Sequence, residues 1–147
     1  MMFLEQPADF KADFEVAICY CESGGEVLLL LRQPWEGEGS KWCLPGGTLN
    51  QGEQPTETVI REVHEETGIA LDPHKLKFFT KVWVKKPQYN YVLHKFYQHF
   101  ETRPNVIVNV EEHADFRWVK PNESLSMNLL TDGAQGMKMF VAWRESQ

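Results

Sequence analysis

The sequence predicts an α/β fold in which helices cover a mixed β-sheet. Two observations support this prediction. Segments rich in apolar, β-branched and aromatic residues, which are typical of strands, stand on both sides of an amphipathic helical segment at 55–67. A second helical pattern, which Asp132 can cap, closes the chain with Met137, Phe140 and Val141 packing inward. The order of strands, helix, strands and helix favours a layered α/β/α sandwich, with no repeat or long linker to divide it.

Composition and charge limit the classes of function that we expect for this protein. The net charge of −6 argues against broad electrostatic binding to nucleic acid or to an anionic membrane, but a small phosphorylated ligand held through metal ions stays open. The first residues lack the basic and apolar regions of a signal peptide, and no apolar run reaches the roughly 20 residues that cross a bilayer. Three cysteines without a regular framework indicate free thiols in a reducing compartment. We therefore expect a cytoplasmic protein.

Strand patterns fill most of the chain outside the helices. The residues at 14–20 are β-branched and aromatic, and Cys19 and Cys21 are predicted to share one buried face of that strand. The continuous apolar run at 27–31 is typical of a strand covered on both faces. Residues 1–13 are predicted to form an N-terminal arm. Further extended segments are expected at 41–44, 76–85, 91–101, 106–108 and 116–119, all within one domain spanning 1–147.

The helix predicted at 55–67 has clear boundaries. Pro55 suits the first turn of a helix, and Gly68 is placed to end it. Residues at the 3, 4, 7 spacing of a buried face lie between them. These residues are Thr56, Val59, Ile60, Val63 and Thr67.

The end of this helix carries charge of the unfavourable sign. Glu62 and Glu66 are one turn apart, and two like charges at that spacing cost about 0.2–0.5 kcal/mol. Together with Glu65 they lie near the helix C-terminus, where the helix dipole disfavours each anion by about 0.3–1 kcal/mol. A helix selected only for stability would carry Lys or Arg there. The three carboxylates therefore predict a bound cation, and a divalent metal is the natural candidate.

A pattern of fixed spacing joins these carboxylates to the loop before the helix. Gly47 is followed after five residues by Glu53, and after seven more by the run REVHEETGI at 61–69. Residues 47–69 resemble the Nudix box, G-x5-E-x7-R-E-U-x-E-E-x-G-U with U an aliphatic residue, at every defined position. The preceding WCLPGG is similar to the usual approach to that box. Glu112 and the FRWV segment after it extend the resemblance more weakly.

The resemblance implies the Nudix fold and a hydrolase that acts on nucleoside diphosphates linked to another group. It implies Mg²⁺ as cofactor, with Mn²⁺ as a substitute. The expected substrate is a nucleoside or deoxynucleoside triphosphate, cleaved to monophosphate and pyrophosphate as by MutT-like members. The alternatives are ADP-ribose, dinucleoside polyphosphates, nucleotide sugars, RNA 5′ ends, or a nucleotide sensor without turnover. Pro87 and Tyr89 lie near a position that marks the first two in some members, but neither can be assigned to it from the sequence.

The resemblance also assigns the metal site. Glu62 and Glu66 would be the main ligands, joined by the Gly47 carbonyl group. Glu65 would reach a neighbouring ion or an ordered water, and Glu112 would be an additional ligand, with Glu111 as its competitor. The histidines show no paired spacing with the cysteines, which argues against a zinc site.

The resemblance leaves several catalytic and substrate-binding roles unassigned. The base that activates water is one of Glu62, Glu65 and Glu112, with a box glutamate favoured. Glu53 and Arg61 complete the catalytic set. Arg61 is expected on the side of the helix opposite the carboxylates, where it would pair with Glu53 and fix the helix to the loop.

Substrate contacts are expected mainly from three residues. Arg32 lies at a strand end near the cleft, Trp35 in a glycine-rich loop can stack on a base, and Lys81 can meet phosphates. Weaker candidates are Lys85, Asn122 and Asn128, whereas Trp118 is expected in the core. The sequence leaves open whether the chain forms a homodimer.

Overall fold

The structure, a computed structural model, describes all 147 residues and contains eight strands and three helices. None of the helices is long and apolar enough to span a membrane. The helices are α1 (Pro55–Thr67), α2 (Pro121–Ser124) and α3 (Gly133–Glu145). The strands are β1 (Met2–Phe3), β2 (Phe14–Ser23), β3 (Glu26–Arg32), β4 (Trp42–Cys43), β5 (Gly46–Thr48), β6 (Lys77–Lys85), β7 (Asn90–His99) and β8 (His113–Val119).

The strands form one mixed sheet with β2 near its centre. β7 pairs with β2 in parallel, from Tyr91 opposite Phe14 to His99 opposite Glu22. β6 lies antiparallel on the far side of β7, and β1, from within the predicted N-terminal arm, continues the sheet beyond β6. On the other edge of β2, β5 and the start of β3 pair antiparallel, and β3 also pairs with β8 and β4. The mixed sheet predicted from the sequence is therefore confirmed.

Helices α1 and α3 cover opposite faces of this sheet, because successive residues of β2 point to opposite sides. Cys19 and Cys21 share one buried face, as their spacing predicts, and pack with Val59 of α1. Tyr20 points to the other face, where its ring stacks on Phe140 of α3 with the centroids 4.2 Å apart. The α/β/α sandwich is thereby confirmed, with one apolar core on each side of the sheet.

The boundaries of α1 agree with the sequence prediction. At its start the Glu57 carboxylate accepts the Gln54 backbone N–H at 2.9 Å, which satisfies one of the amide groups that lack a helical partner. At its end Gly68 adopts a left-handed conformation with φ of 76° and donates its N–H to the His64 carbonyl oxygen at 2.9 Å. Proline and glycine thus fix the length of the helix.

The buried face of α1 differs from the prediction at one position. Val59 and Val63 are fully buried as expected, but Thr56 is exposed and its assignment to that face is wrong. Thr58 is fully buried instead. Its hydroxyl donates at 2.6 Å to Glu53 Oε1, which removes the cost of burying a polar group.

The strand predicted at 106–108 is absent. The Ile107 N–H donates to the Thr67 carbonyl oxygen at 3.0 Å, and the Asn109 N–H donates to the Glu66 carbonyl oxygen at 3.1 Å. These carbonyl groups belong to the last turn of α1 and have no helical partner. The segment therefore satisfies the end of the helix rather than a sheet edge, and it carries the chain to Glu112.

Candidate active site

A polar cleft opens where the C-terminal half of α1 meets β5 and the loop before β8. It holds about 370 Å³ and no hydrophobic residue lines it. Four glutamates line it against a single cation, Arg32, so its charge favours binding of a positive ion. The complete lining is Arg32, Glu36, Gly46, Gly47, Thr48, Asn50, Glu62, Glu66, Glu112 and His113.

Glu66 is the most buried carboxylate in the cleft, with 5% of the residue exposed. Burial raises its pKa well above the ordinary value, and the charges of Glu112 and Glu62 act in the same direction. The Gly46 N–H opposes this shift by donating to Glu66 Oε1 at 2.7 Å. A bound cation would stabilise the ionised form of all three carboxylates.

Glu62 lies against β5, and a glycine makes this approach possible. A Cβ atom at position 47 would overlap the Glu62 carboxyl group, so only Gly47 leaves room for it. Burial raises the pKa of Glu62, whereas Arg61 lowers it through a hydrogen bond and its charge. Gly47 therefore brings β5 and α1 together at the point where the carboxylates converge.

His113 belongs to the same cluster, and the sequence prediction missed it. Its ring is buried, with Nδ1 3.7 Å from Glu66 Oε2 and without a hydrogen-bond partner. Its Nε2 lies 3.6 Å from Cys43 Sγ. Burial, and then the charge of Arg32, lower its pKa to about 4, so the imidazole is neutral at neutral pH. The one available signal was its position directly after Glu112.

Arg61 ties the cleft to the loop before α1. Its Nε and Nη2 atoms each lie 2.9 Å from an oxygen of Glu53, which forms the two-pronged pair expected of a guanidinium and a carboxylate. This contact holds the pKa of Glu53 down to about 2, helped by the Asn50 N–H and the Thr58 hydroxyl. Arg61 does not lie opposite the carboxylates as predicted, because its Nη1 also donates to Glu62 Oε1 at 2.8 Å.

The structure brings most of the predicted metal ligands together but leaves Glu65 outside. Gly47, Glu62, Glu66 and Glu112 all line the cleft. The Glu65 side chain is 54% exposed, and it makes only long contacts of 3.4 Å to Arg61. Glu111, the competitor of Glu112, is also exposed and outside the cleft.

Of the three residues predicted to contact substrate, only one lines the cleft. Arg32 lines the cleft, and its Nε donates at 2.7 Å to the Gly37 carbonyl oxygen, so it is fixed to the loop at 33–41. Trp35 of the same loop is 70% exposed and does not line the cleft. Lys81 is exposed on β6, 5.4 Å from the centre of the Trp83 ring, and is likewise remote from the cleft.

The weaker candidates lie outside the cleft. Asn122 is exposed, and Asn128 joins two loops by donating from its side chain to the Ser40 carbonyl oxygen at 3.1 Å. Lys85 is exposed beside the Phe3 ring. Trp118 packs at the edge of the α1-side core, as predicted.

A second, apolar cavity of about 430 Å³ lies on the α3 side of the sheet, and Arg32 lines both spaces. Sixteen of its 24 lining residues are hydrophobic, including Trp42, Tyr89 and Tyr91. Lys95 and Asp132 also line it. Lys95 is not among the residues predicted from the sequence, although a lysine within the apolar pattern of β7 is a visible signal.

The residues of the cleft fit a divalent cation. Glu66, Glu112 and His113 each offer a ligand atom, and these three atoms lie within 4.8 Å of one another. Glu62 adds a further carboxylate beside them. Oxygen donors with an excess of negative charge suit a hard cation of the Mg²⁺ or Mn²⁺ type, and the unpartnered Nδ1 of His113 lies next to them.

The family model described as the NUDIX domain matches residues 13–144. The chain belongs to the Nudix hydrolase family. The MutT protein of Methanosarcina mazei Go1 has a solved structure that superposes with a TM-score of 0.75 at 26% identity, covering 90% of this chain and 94% of that one.

Two curated Nudix relatives have related sequences. An RNA pyrophosphohydrolase of Mannheimia succiniciproducens is 26% identical over 113 residues, covering 77% of this chain and 53% of that protein. A Mycobacterium tuberculosis protein named "Putative 8-oxo-dGTP diphosphatase 3" is 30% identical over 109 residues, covering 70% of this chain and 48% of that protein. The chain thus spans about half the length of these curated relatives.

Proposed function

We propose that this Nudix protein is a Mg²⁺-dependent pyrophosphohydrolase that cleaves nucleoside or deoxynucleoside triphosphates to monophosphate and pyrophosphate. The convergence of Glu62, Glu66 and Glu112 in one cleft is the observation that carries the proposal. The cleft can take the charged phosphates, and the adjoining apolar cavity has the size and lining expected of a nucleoside site. The name of the mycobacterial relative is consistent with this substrate class.

The residues have distinct tasks in this proposal. Glu62, Glu66 and Glu112, with the Gly47 carbonyl group, would hold the metal. When bound, the metal would neutralise diphosphate oxygens and lower the pKa of the attacking water. Arg32 would contact a phosphate at the junction of cleft and cavity. Because it is already hydrogen-bonded to the loop at 33–41, little side-chain entropy is lost when substrate binds.

The base is best sought among the carboxylates that line the cleft. Glu65 is exposed outside it, and Glu66 lies deepest with one oxygen accepting the Gly46 N–H. Glu62 is therefore the box glutamate that we assign to accept the proton from the attacking water. Arg61 keeps its carboxylate oriented by donating to one of its oxygens.

The activity is tested by incubating the protein with Mg²⁺ and a panel of phosphoric anhydrides, and identifying the products by chromatography. The panel contains nucleoside and deoxynucleoside triphosphates, ADP-ribose, a dinucleoside tetraphosphate, a nucleotide sugar and 5′-triphosphorylated RNA. Monophosphate and pyrophosphate from the triphosphates are expected. AMP and ribose phosphate as the main products would replace the proposal with ADP-ribose hydrolysis. Intact substrates throughout would contradict the enzyme class.

Substitution of the carboxylates tests the site itself. Glu66→Gln should lower kcat by more than about 100-fold, since losing even an indirect support of a metal site costs 10–100-fold. Glu65→Gln should stay within a few-fold of the parent because this side chain lies outside the cleft. Glu57→Gln, on the same helix but remote from the cleft, is the matched control. Near-normal activity of Glu66→Gln, with the fold intact by circular dichroism, would remove Glu66 from the metal site.

A further inference from the structure

Three locally unfavourable features converge on the apolar cavity. A lysine is buried in the sheet, a glycine stands near the start of a helix, and an aspartate takes a left-handed backbone conformation. These residues are Lys95 of β7, Gly136 of α3 and Asp132 at the start of α3, and all three line the same space. Local costs that meet at one point are the signature of a functional site rather than of folding stability.

Lys95 is the most unusual of the three. Only 2% of the residue is exposed, and its ammonium group makes no hydrogen bond to any other residue. Burial lowers its pKa to about 8, and the charge of Asp132 opposes this shift only in part. A lysine that is retained in an apolar cavity without a partner has hydrogen-bond donors available for a ligand.

Gly136 makes room for this ammonium group. A Cβ atom at position 136 would lie 2.9 Å from Lys95 Nζ and 3.4 Å from the Tyr20 hydroxyl oxygen. Gly136 is the fourth residue of α3, a position where alanine would favour the helix more than glycine does. An alanine at this position would require the end of the flexible Lys95 side chain to shift, so the glycine lets the ammonium group keep its present place.

Asp132 supplies the complementary acceptor. Its backbone has φ of 68°, which is uncommon for residues other than glycine although aspartate adopts it more readily than most, and its side chain does not cap α3 as the sequence predicted. Its Oδ2 atom is buried without a hydrogen-bond partner. Lys86 Nζ forms an ion pair with this oxygen at 3.6 Å, which is beyond hydrogen-bond distance, so the hydrogen-bonding capacity of Oδ2 is still unused.

We propose that Lys95 and Asp132 form a donor–acceptor pair that selects bases carrying an oxo group next to a ring N–H. This selection rests on the proposed function, because it assumes that the cavity holds the base of a nucleotide. Lys95 would donate to the oxo group, and Asp132 would accept the neighbouring N–H. Guanine, hypoxanthine, uracil and thymine present this edge.

Adenine and cytosine present a poorer match. Adenine has only ring nitrogens as acceptors, and cytosine has no ring N–H beside its oxo group. An ammonium group donates readily to a carbonyl oxygen, as lysine does to O6 of guanine in DNA recognition. A site built to bond one polar edge rejects a ligand without it, because the buried groups of the site are then left unpaired. Binding of the oxo bases should be at least about 10-fold tighter.

Binding without turnover tests the pair. Binding of GMP, UMP, AMP and CMP to the full chain is measured by NMR titration in EDTA, so that no hydrolysis is needed. GMP and UMP should bind at least 10-fold tighter than AMP and CMP. Lys95→Met should remove this preference, whereas Lys77→Met, on the exposed start of β6, should keep it. Asp132→Asn should weaken GMP and UMP binding more than AMP binding.

The outcomes separate this inference from the proposed function. Equal binding of all four monophosphates, or a preference that survives Lys95→Met, overturns the donor–acceptor pair. Selective binding by a protein that hydrolyses none of the triphosphates supports the pair and contradicts the hydrolase. Hydrolysis of triphosphates with equal kcat/KM for all bases supports the hydrolase and overturns the pair. Circular dichroism of each variant establishes that the fold is retained.

Discussion

At the scale of single residues, charges stand where folding alone would not place them. Glu66 is buried among other carboxylates, and Lys95 is buried among apolar side chains. Burial raises the pKa of Glu66 and lowers the pKa of Lys95, and both shifts favour the neutral form of the side chain. The two residues face different spaces, and Arg32 lies between them. Both place a functional group in a solvent-poor environment, where its interaction with a ligand is stronger than in water.

The burial of Lys95 predicts a pH-dependent stability. The pKa of Lys95 falls from 10.5 to about 8 on folding, so below about pH 8 the charged lysine lowers the free energy of unfolding. That cost is on the order of 3 kcal/mol. As pH rises from about 8 to 10.5, the unfolded chain binds more protons than the folded one, and the cost disappears.

Lys95→Met should therefore be more stable than the parent at pH 7, and this advantage should shrink between about pH 8 and 10.5. Urea denaturation of both proteins across this pH range measures the difference between their free energies of unfolding. The titration of all other groups is common to both proteins and cancels in this difference. A difference in stability that does not change with pH would show that the pKa of Lys95 is the same in the folded and unfolded states.

At the scale of elements, α1 and the loop before it form one unit. Arg61 donates two hydrogen bonds to Glu53 and one to Glu62. The Thr58 hydroxyl group donates a further hydrogen bond to Glu53. The loop at 49–54 is thus fixed to the helix that carries the carboxylates. The pKa of Glu53 of about 2 means that this link stays ionised at any pH near neutrality.

Removing the hydrogen bonds between Arg61 and Glu53 should weaken metal binding in the cleft without unfolding α1. Arg61→Met should lower Mn²⁺ affinity and kcat by about 10–100-fold, the usual effect of losing a residue that orients metal ligands. Glu53→Gln should do less, and the double variant should be no worse than Arg61→Met because both remove one interaction. Mn²⁺ binding followed by electron paramagnetic resonance checks this. Additive losses would show that the two residues act separately.

The sequence predicted α1 well because its signals are local. Pro55, Gly68 and the spacing of Val59 and Val63 depend on neighbours within a few turns. The hydrogen bonds of Ile107 to the end of α1 depend on a distant segment, so local β propensity gave a strand that does not form. Propensity is overridden in this way when tertiary partners are available.

The candidate site was predictable to the same extent. The fixed spacing of the Nudix box identified Glu62 and Glu66, which lie on one helix. It could not show that Glu65 stays exposed outside the cleft, nor that His113 approaches the cleft through the pairing of β3 with β8. Lys95 and Asp132 meet at the cavity only because β7 and α3 pack together.

At the scale of the whole molecule, two chemically different spaces open toward opposite faces of the sheet and meet at Arg32. The carboxylate cleft lies on the α1 side, and the apolar cavity lies on the α3 side. The cavity exists only while α3 stays packed on the sheet, which it does through Phe140 against Tyr20, Tyr97 and Phe79. Phe140 is fully buried, so we expect its packing to support both the stability of the fold and the shape of the cavity.

Phe140→Ala should lower the free energy of unfolding by about 3–5 kcal/mol, the cost of removing a buried aromatic ring. Phe78→Ala is the matched control, because Phe78 is 56% exposed and should cost less than about 1 kcal/mol. Urea denaturation measures both. Equal effects of the two substitutions would contradict the packing of α3 described above.

The parallel pairing of β2 with β7 has a consequence for how the chain folds. Residue 14 meets residue 91, so the centre of the sheet closes a long loop, whereas the hairpins β2–β3 and β6–β7 are local. Local hairpins form in about 1–10 μs, but distant pairings are slower because loop closure costs entropy first. Cleft and cavity both need residues from distant parts of the chain. A nascent chain therefore cannot form the cleft until Glu112 and His113 have been synthesised, and it cannot form the cavity until α3 has followed.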